Sequence, residues 1–495
     1  MNTIGHVIRG KRVPGTSGRT SRVYDPATGL VTGSVQLAAP ADVDVAVAAA
    51  REAFPSWRST NLARRTEILF ALRHVLKERQ PELAAAITAE HGKVLSDAMG
   101  EVARGLENVE FACGIPQLLK GGYSEQAATG VDVHEVHQPL GVAVGITPFN
   151  FPVMVPLWML ANAIACGNTF VLKPSERDPS ASLLLAELLA EAGLPEGVFN
   201  VVQGDKVAVD RLLEHPDVAA VSFVGSTPVA RQVYQRATAA GKRVQALGGA
   251  KNHMVVLPDA DIPMAADAAV SAAYGSAGER CMAISVVVAV GSVGDALVAA
   301  IRDRVVGVRI GPGSDPAAQM GPLITAEHRD RVASYLDVAR AEGATVVLDG
   351  RDSRFDGSGF FVGASLLDDV RPEMTAYRDE IFGPVLCVVR AESYDEALRL
   401  VNDNQYGNGA AIYTRDGGIA RSFEFDVQAG MVGVNVPIPV PVSYYSFGGW
   451  KASLFGDTHV YGPQGVQFYT RTKVVTSRWP DPATSAVDLG FPQNR

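Results

Sequence analysis

The chain has 495 residues, is 47% hydrophobic and 20% charged, and carries a net charge of -9. That length and apolar content exclude a disordered chain and leave room for two or three domains with separate cores. The acidic balance argues against nucleic-acid and anionic-membrane partners, both of which select a basic face.

Cys113, Cys166, Cys281 and Cys387 lie far apart and form no Cys-x-x-Cys pair. Neither a zinc site nor a disulfide framework is expected, and no metal is assigned; a reducing cytoplasm is the expected compartment. The first residues lack a basic segment followed by an apolar core, and no run of about 18 apolar residues occurs, so no membrane span is predicted.

Residues 1–40 read as short strands, two of them joined by a turn at Asp25-Pro-Ala-Thr-Gly29. Helices are expected from Asp42 to Ala53, after a cap at Asn61, from Pro81, and from Asp97 to Leu119. Residues 131–137 alternate as a strand. His134 and His137 within it invite a metal reading, but three residues apart on a strand they face opposite ways.

From Leu140 strand and helix alternate. Strands are expected at 142–146, 169–173, 197–202, 219–224 and 244–247, with helices at 156–166, 179–193, 205–214 and 227–239. A second series follows Lys251, with strands at 253–257, 284–290, 344–348, 385–390, 409–413 and 430–434. Its helices fall at 262–277, 293–306, 325–342 and 392–402. This is the rhythm of two doubly wound α/β domains. The tail reads as strands at 466–470 and 473–476, expected to pair with 131–138 and to present an edge to another subunit. We assign 1–121 and 140–247 to the first domain, 248–450 to the second, and 122–139 with 451–495 to a small β oligomerisation arm.

Several residues stand out chemically. Cys281 lies in Gly275-Ser-Ala-Gly-Glu-Arg-Cys281, where small residues admit a substrate and Arg280 is positioned to lower the thiol pKa; the alternative is a packing cysteine. Lys173 ends a strand, where crevices of open α/β sheets lie, and Gly225 precedes a helix whose N-terminal amides can hold a phosphate. Asn150 sits in the strand-end loop Thr147-Pro-Phe149-Asn-Phe-Pro, and an Asx-turn competes with a functional amide there. Glu380 precedes a Gly-Pro turn, either as a ribose ligand or as a helix-end charge. Arg104, spaced from Glu101 and Glu107, reads as an ordinary surface ion-pair ladder.

The Cys281 segment resembles the catalytic-cysteine segment of the NAD(P)-dependent aldehyde dehydrogenase superfamily. The form Gly-Glu-Arg-Cys-Met-Ala is similar to the branch that oxidises methylmalonate semialdehyde with coenzyme A. The resemblance covers nearly the whole chain. It implies a Rossmann-like NAD domain and a catalytic domain, with Cys281 as nucleophile and Asn150 as oxyanion donor. It also implies NAD held by Thr147, Phe149, Lys173, Glu176, Arg177, Gly225, Ser226, Gly248, Glu380 and Phe382. The final position of the family's Gly-Ser-Thr-x-x-Gly form is Ala230 here.

Ala246 stands where hydrolytic relatives carry the glutamate that activates water. Loss of such a base costs roughly 10²–10⁴-fold, so coenzyme A is the expected acyl acceptor and co-substrate. Arg104 and Arg280 are implied to clamp a substrate carboxylate. The expected products are propanoyl-CoA from methylmalonate semialdehyde or acetyl-CoA from malonate semialdehyde, with loss of CO2. The alternative is a hydrolytic aldehyde dehydrogenase acting on another aldehyde. A homotetramer, built as a dimer of dimers, is expected.

Overall fold

The computed structural model describes residues 2–353, 355, 357–484, 487, 489 and 490. The end of the expected 451–495 arm, at 485, 486, 488 and 491–495, lies outside the described residues.

Two sheets organise the chain. In the eight-stranded first sheet the order is Leu454–Phe455, Arg243–Leu247, Val218–Val224, Val142–Ile146, Thr169–Lys173, Phe199–Val201, His6–Ile8, Lys11–Val13. The five central strands are parallel and the flanking ones antiparallel. Val142–Ile146 and Thr169–Lys173 are buried at every position, as strands covered by helices on both faces must be. The chain builds outward from Val142–Ile146 to Phe199–Val201, then returns to lay Val218–Val224 on the other side. A crevice therefore opens at the carboxyl ends of Val142–Ile146 and Val218–Val224, where strand order reverses.

The seven-stranded second sheet has the order Thr345–Leu348, Ser365–Asp368, Val385–Ala391, Ile284–Val290, Asn252–Val256, Gly409–Tyr413, Met431–Val434. All its pairings are parallel except the first. The two doubly wound α/β units are thus as expected from the alternating strand and helix pattern.

Helix Met154–Ala165, buried along its whole length, packs on the first sheet and on helix Leu95–Ala112. The expected 25–29 turn joins strands Thr20–Asp25 and Leu30–Gln36, and Asn61 caps its helix by accepting from the Arg64 amide.

Three expectations fail locally. The first helix runs through Pro55 to Ser59. The helix expected to reach Leu119 stops at Ala112, followed by the short turn Ile115–Leu118. Residues 466–470 were expected as a strand, but Gly462–Phe468 is a helix opened by Pro463, with Val466 and Phe468 buried. A short apolar run does not distinguish the two conformations. Thr470–Arg478 does pair antiparallel with Val131–Pro139 along its full length, in a three-stranded sheet with Tyr123–Ala128. Among the described residues no helix is long and apolar enough to cross a membrane.

Candidate active site

Cys281 lies between the sheets, at the amino ends of the second and beside the carboxyl ends of the first. Helix Ile262–Tyr274 ends three residues short of the expected 262–277 span, because Ser276 (φ 52°) and Ala277 (φ 51°) are left-handed. Such conformations cost about 1–3 kcal/mol each and persist only where the surroundings enforce them. Gly278 (φ +75°) completes the reversal, and a Cβ there would lie 2.3 Å from the Gly383 carbonyl oxygen. Beyond the turn, the side-chain amides of Asn252 and Asn408 donate to the Cys281 carbonyl at 2.9 and 3.1 Å. The Cys281 backbone is thus tied to strand Asn252–Val256 and to the residue that precedes strand Gly409–Tyr413. Neither asparagine was singled out in the sequence, although Asn252 stands in the Ala-Lys-Asn-His string after Gly249.

Burial pushes the Cys281 thiol up to about 12, and Glu380 adds to the rise. Arg280 opposes it only weakly. The expected activation by Arg280 is therefore corrected: its Nη2 donates to Asp97 Oδ1 at 2.5 Å, and the guanidinium lies against Gly275, where a Cβ would meet Nη1 at 2.5 Å. The guanidinium is thus engaged by Asp97 and packed on Gly275.

Asn150 is 3% exposed, and its side-chain amide donates to the Glu279 carbonyl at 3.0 Å. This long-range bond replaces the Asx-turn alternative. The Asn150 carbonyl accepts from Lys93 Nζ at 2.5 Å, and Lys93 pairs with Glu101 at 2.8 Å. Glu101 in turn accepts from the Val153 amide at 2.8 Å and the Met154 amide at 3.2 Å. The expected ladder around Arg104 is corrected accordingly: Glu101 faces inward to Lys93, and only Glu107 pairs with Arg104, at 2.7 Å.

Cys281 borders two cavities. The larger, of about 640 Å³, occupies the crevice of the first sheet; Phe149, Arg177, Gly225, Ser226, Gly248, Glu380 and Phe382 line it. Thr147, Lys173 and Glu176 lie outside that wall, with Lys173 and Glu176 paired at 3.2 Å. Helix Thr227–Ala239 begins at the cavity with no side-chain cap at Ser226, which leaves its first amides for an anion. A Cβ at Gly248 would fill this cradle, 2.7 Å from the Ala452 oxygen and 2.8 Å from Thr227 Oγ1. Phe149 and Phe382 meet edge to face at 5.9 Å, and the Arg177 guanidinium covers Phe149 at 5.4 Å. Glu380 accepts from the Ala250 amide at 2.9 Å, and burial raises its pKa to about 7.

The smaller cavity, of about 440 Å³, lies on the other side of the sulfur. Phe151, Met154, Trp158 and Phe447 form its apolar wall, and Arg104 and Arg280 enter it together. Phe447 serves packing as well, since its ring lies 4.8 Å from Trp158. Arg104 Nη2 also reaches the Pro441 carbonyl at 3.0 Å. Ala246 is fully buried in the core cluster with Val144, Ile146 and Phe223.

The aldehyde dehydrogenase family profile matches residues 13–475. The chain belongs to the aldehyde dehydrogenase family. This aldehyde dehydrogenase is 55% identical over 496 residues to a malonate-semialdehyde dehydrogenase of Pseudomonas aeruginosa, covering 99% of this chain and 100% of that protein. It is 54% identical to a Sinorhizobium meliloti structure solved in complex with NAD and described as a methylmalonate-semialdehyde dehydrogenase, with TM-score 0.97 over 98% of this chain and 99% of that one. A methylmalonate-semialdehyde dehydrogenase structure from Oceanimonas doudoroffii matches with TM-score 0.96 and 53% identity, over 98% and 99% of the two chains.

Proposed function

We propose that the enzyme oxidises malonate semialdehyde, methylmalonate semialdehyde or both, with NAD as hydride acceptor and coenzyme A as acyl acceptor, and with release of CO2. The observation that carries this reading is the pair Arg104 and Arg280 entering one apolar chamber beside Cys281. Two guanidinium groups there suit an aldehyde that ends in a carboxylate.

The crevice fits a dinucleotide, with uncapped helix amides, a glycine cradle and a carboxylate within one cavity. Ser226, Gly225 and Gly248 would hold its pyrophosphate and Glu380 its ribose. NAD bound there supplies the acceptor for the aldehyde hydride.

The chain's own groups perform the rest. The Cys281 proton passes to solvent and the sulfur bonds to the aldehyde carbon, whose carbonyl π pair moves onto the oxygen; the Cys281 amide and the Asn150 side-chain amide donate to that oxyanion. After oxidation the acyl group remains on the sulfur as a thioester. The carboxylate β to that carbonyl leaves as CO2, its electron pair passing into the thioester enolate, which takes up a proton. The coenzyme A thiolate attacks the carbonyl, Cys281 leaves as thiolate, and the product is acetyl-CoA or propanoyl-CoA. Water competes poorly because position 246 offers a buried methyl in place of a base.

We assign residues 1–121 and 140–247 to the NAD-binding domain, which also supplies Asn150 and Arg104 to the chemistry, and 248–450 to the catalytic domain, which carries Cys281 and supplies Glu380 to the dinucleotide. The segments 122–139 and 451–495 serve assembly of a cytoplasmic homotetramer, with the exposed strand Thr470–Arg478 as the contact edge. NADH formation and product analysis with malonate semialdehyde, with and without coenzyme A, test the reading. Strict dependence on the thiol and release of acetyl-CoA are expected. Repeated turnover to a free acid without any thiol would overturn it and point to Glu380, the carboxylate acting on the thiol, as a substitute base.

A further inference from the structure

The turn before the nucleophile contains a polar group that no contact within the protein accounts for. Ser276 is 3% exposed, and its hydroxyl has no hydrogen-bond partner. It lines the smaller cavity together with Arg104, Arg280 and Cys281. Its neighbour Ala277 shares the left-handed backbone, but there the methyl packs in the core of the second sheet, which accounts for a side chain at that position. At Ser276 glycine would relieve the backbone, yet the chain keeps a side chain whose only polar atom is desolvated and unbonded. A buried hydroxyl in that state is unfavourable until a partner arrives.

Both neighbouring guanidinium groups are already partly engaged. Arg280 donates from Nη2 to Asp97, and Arg104 donates to Glu107 and to the Pro441 carbonyl. A carboxylate has two oxygens and about four acceptor positions, so a hydroxyl can share it with two anchored arginines. We propose that Ser276 is a third ligand of the substrate carboxylate, its hydroxyl donating to an oxygen that the arginines leave open. A short aldehyde with its carboxylate carbon two carbons from the aldehyde carbon would receive this bond, whereas an aldehyde without a carboxylate has nothing to accept it. The assignment rests on the carboxylate reading of the chamber and names a specificity determinant within it.

The test is the ratio of kcat/KM for malonate semialdehyde to kcat/KM for propanal, measured with saturating NAD and coenzyme A in the wild type, Ser276→Ala, Ser276→Gly and Arg280→Leu. Loss of a hydrogen bond to a charged group predicts a fall of about tenfold in that ratio for both serine variants, carried mainly by KM for the semialdehyde. The glycine variant separates the hydroxyl from the backbone, since it removes the hydroxyl and suits the left-handed turn. A ratio unchanged in Ser276→Gly, or equal losses on both aldehydes in both variants, would overturn the assignment. If Arg280→Leu also leaves the ratio unchanged, the chamber does not read a carboxylate and the underlying proposal falls with it.

Discussion

The two cavities that meet at Cys281 are built on different principles. The larger is lined by turns, glycines and helix amides at the strand ends of the first sheet, and the arginine at its mouth, Arg177, is spread over an aromatic ring. The smaller sets an apolar wall against charged side chains, Lys93, Asp97 and Glu101 among them, and its arginines are each held by a carboxylate, Arg280 by Asp97 and Arg104 by Glu107. Backbone amides suit a ligand made in one form, because they cannot be exchanged by mutation. Side chains anchored on helix Leu95–Ala112 and on the turn before Cys281 can be changed singly, and the proposed function assigns discrimination between aldehydes to them.

The contrast is testable at several levels, beginning with the atom the two cavities share. Cys281→Ala should reduce NADH formation by at least about 10³-fold with every aldehyde, because no other group can form the acyl bond; stopped-flow absorbance checks this, and residual turnover above that level would remove the sulfur from its assigned place. Asn150→Ala should lower kcat by about 10²–10³-fold with malonate semialdehyde and propanal alike. A loss confined to one substrate would move Asn150 from the oxyanion to the chamber.

Arg104→Leu should act on one side only. Its expected effect is a fall of about 10–100-fold in kcat/KM for malonate semialdehyde relative to propanal, with Kd for NAD close to the wild-type value. Isothermal titration with NAD and paired steady-state kinetics would reveal any spread into the larger cavity.

A last effect, on stability rather than turnover, concerns a fully buried carboxylate two residues before Cys281. Burial raises the Glu279 pKa from 4.5 to about 8, and its carboxylate lies 3.5 Å from His328 and 3.7 Å from His91. Because the folded value is raised, this group's stabilisation is complete below the unfolded pKa and is lost as pH rises through the folded one. Between pH 5 and 8 the loss is about 1.4 kcal/mol per pH unit at most. Glu279→Gln should flatten the pH dependence of the denaturant midpoint in that window. A variant curve parallel to the wild type would show that Glu279 does not keep its proton on folding.

The parts of the site carried by local sequence were legible. The small residues around Cys281, the prolines flanking Asn150 and the methyl at Ala246 are properties of short strings, readable without knowing which distant segments fold against them. The parts that failed depend on partners distant along the chain. Asp97 is 183 residues from Arg280 and Glu279 is 129 from Asn150, so no window of sequence reveals either bond. The helix at Gly462–Phe468 failed for a different reason, since so short a run has no period to read.

The sequence by itself determined the alternation of strand and helix, hence two wound sheets, and which thiol to propose as the nucleophile, because hydrophobic period and residue chemistry are local quantities. The tertiary structure alone decided where Arg280 points, which carboxylate raises the thiol pKa and which hydroxyl lies unpaired in the chamber. Those depend on which groups folding brings within a few ångströms of one another and on how far it removes them from water, and both are set by packing between distant segments.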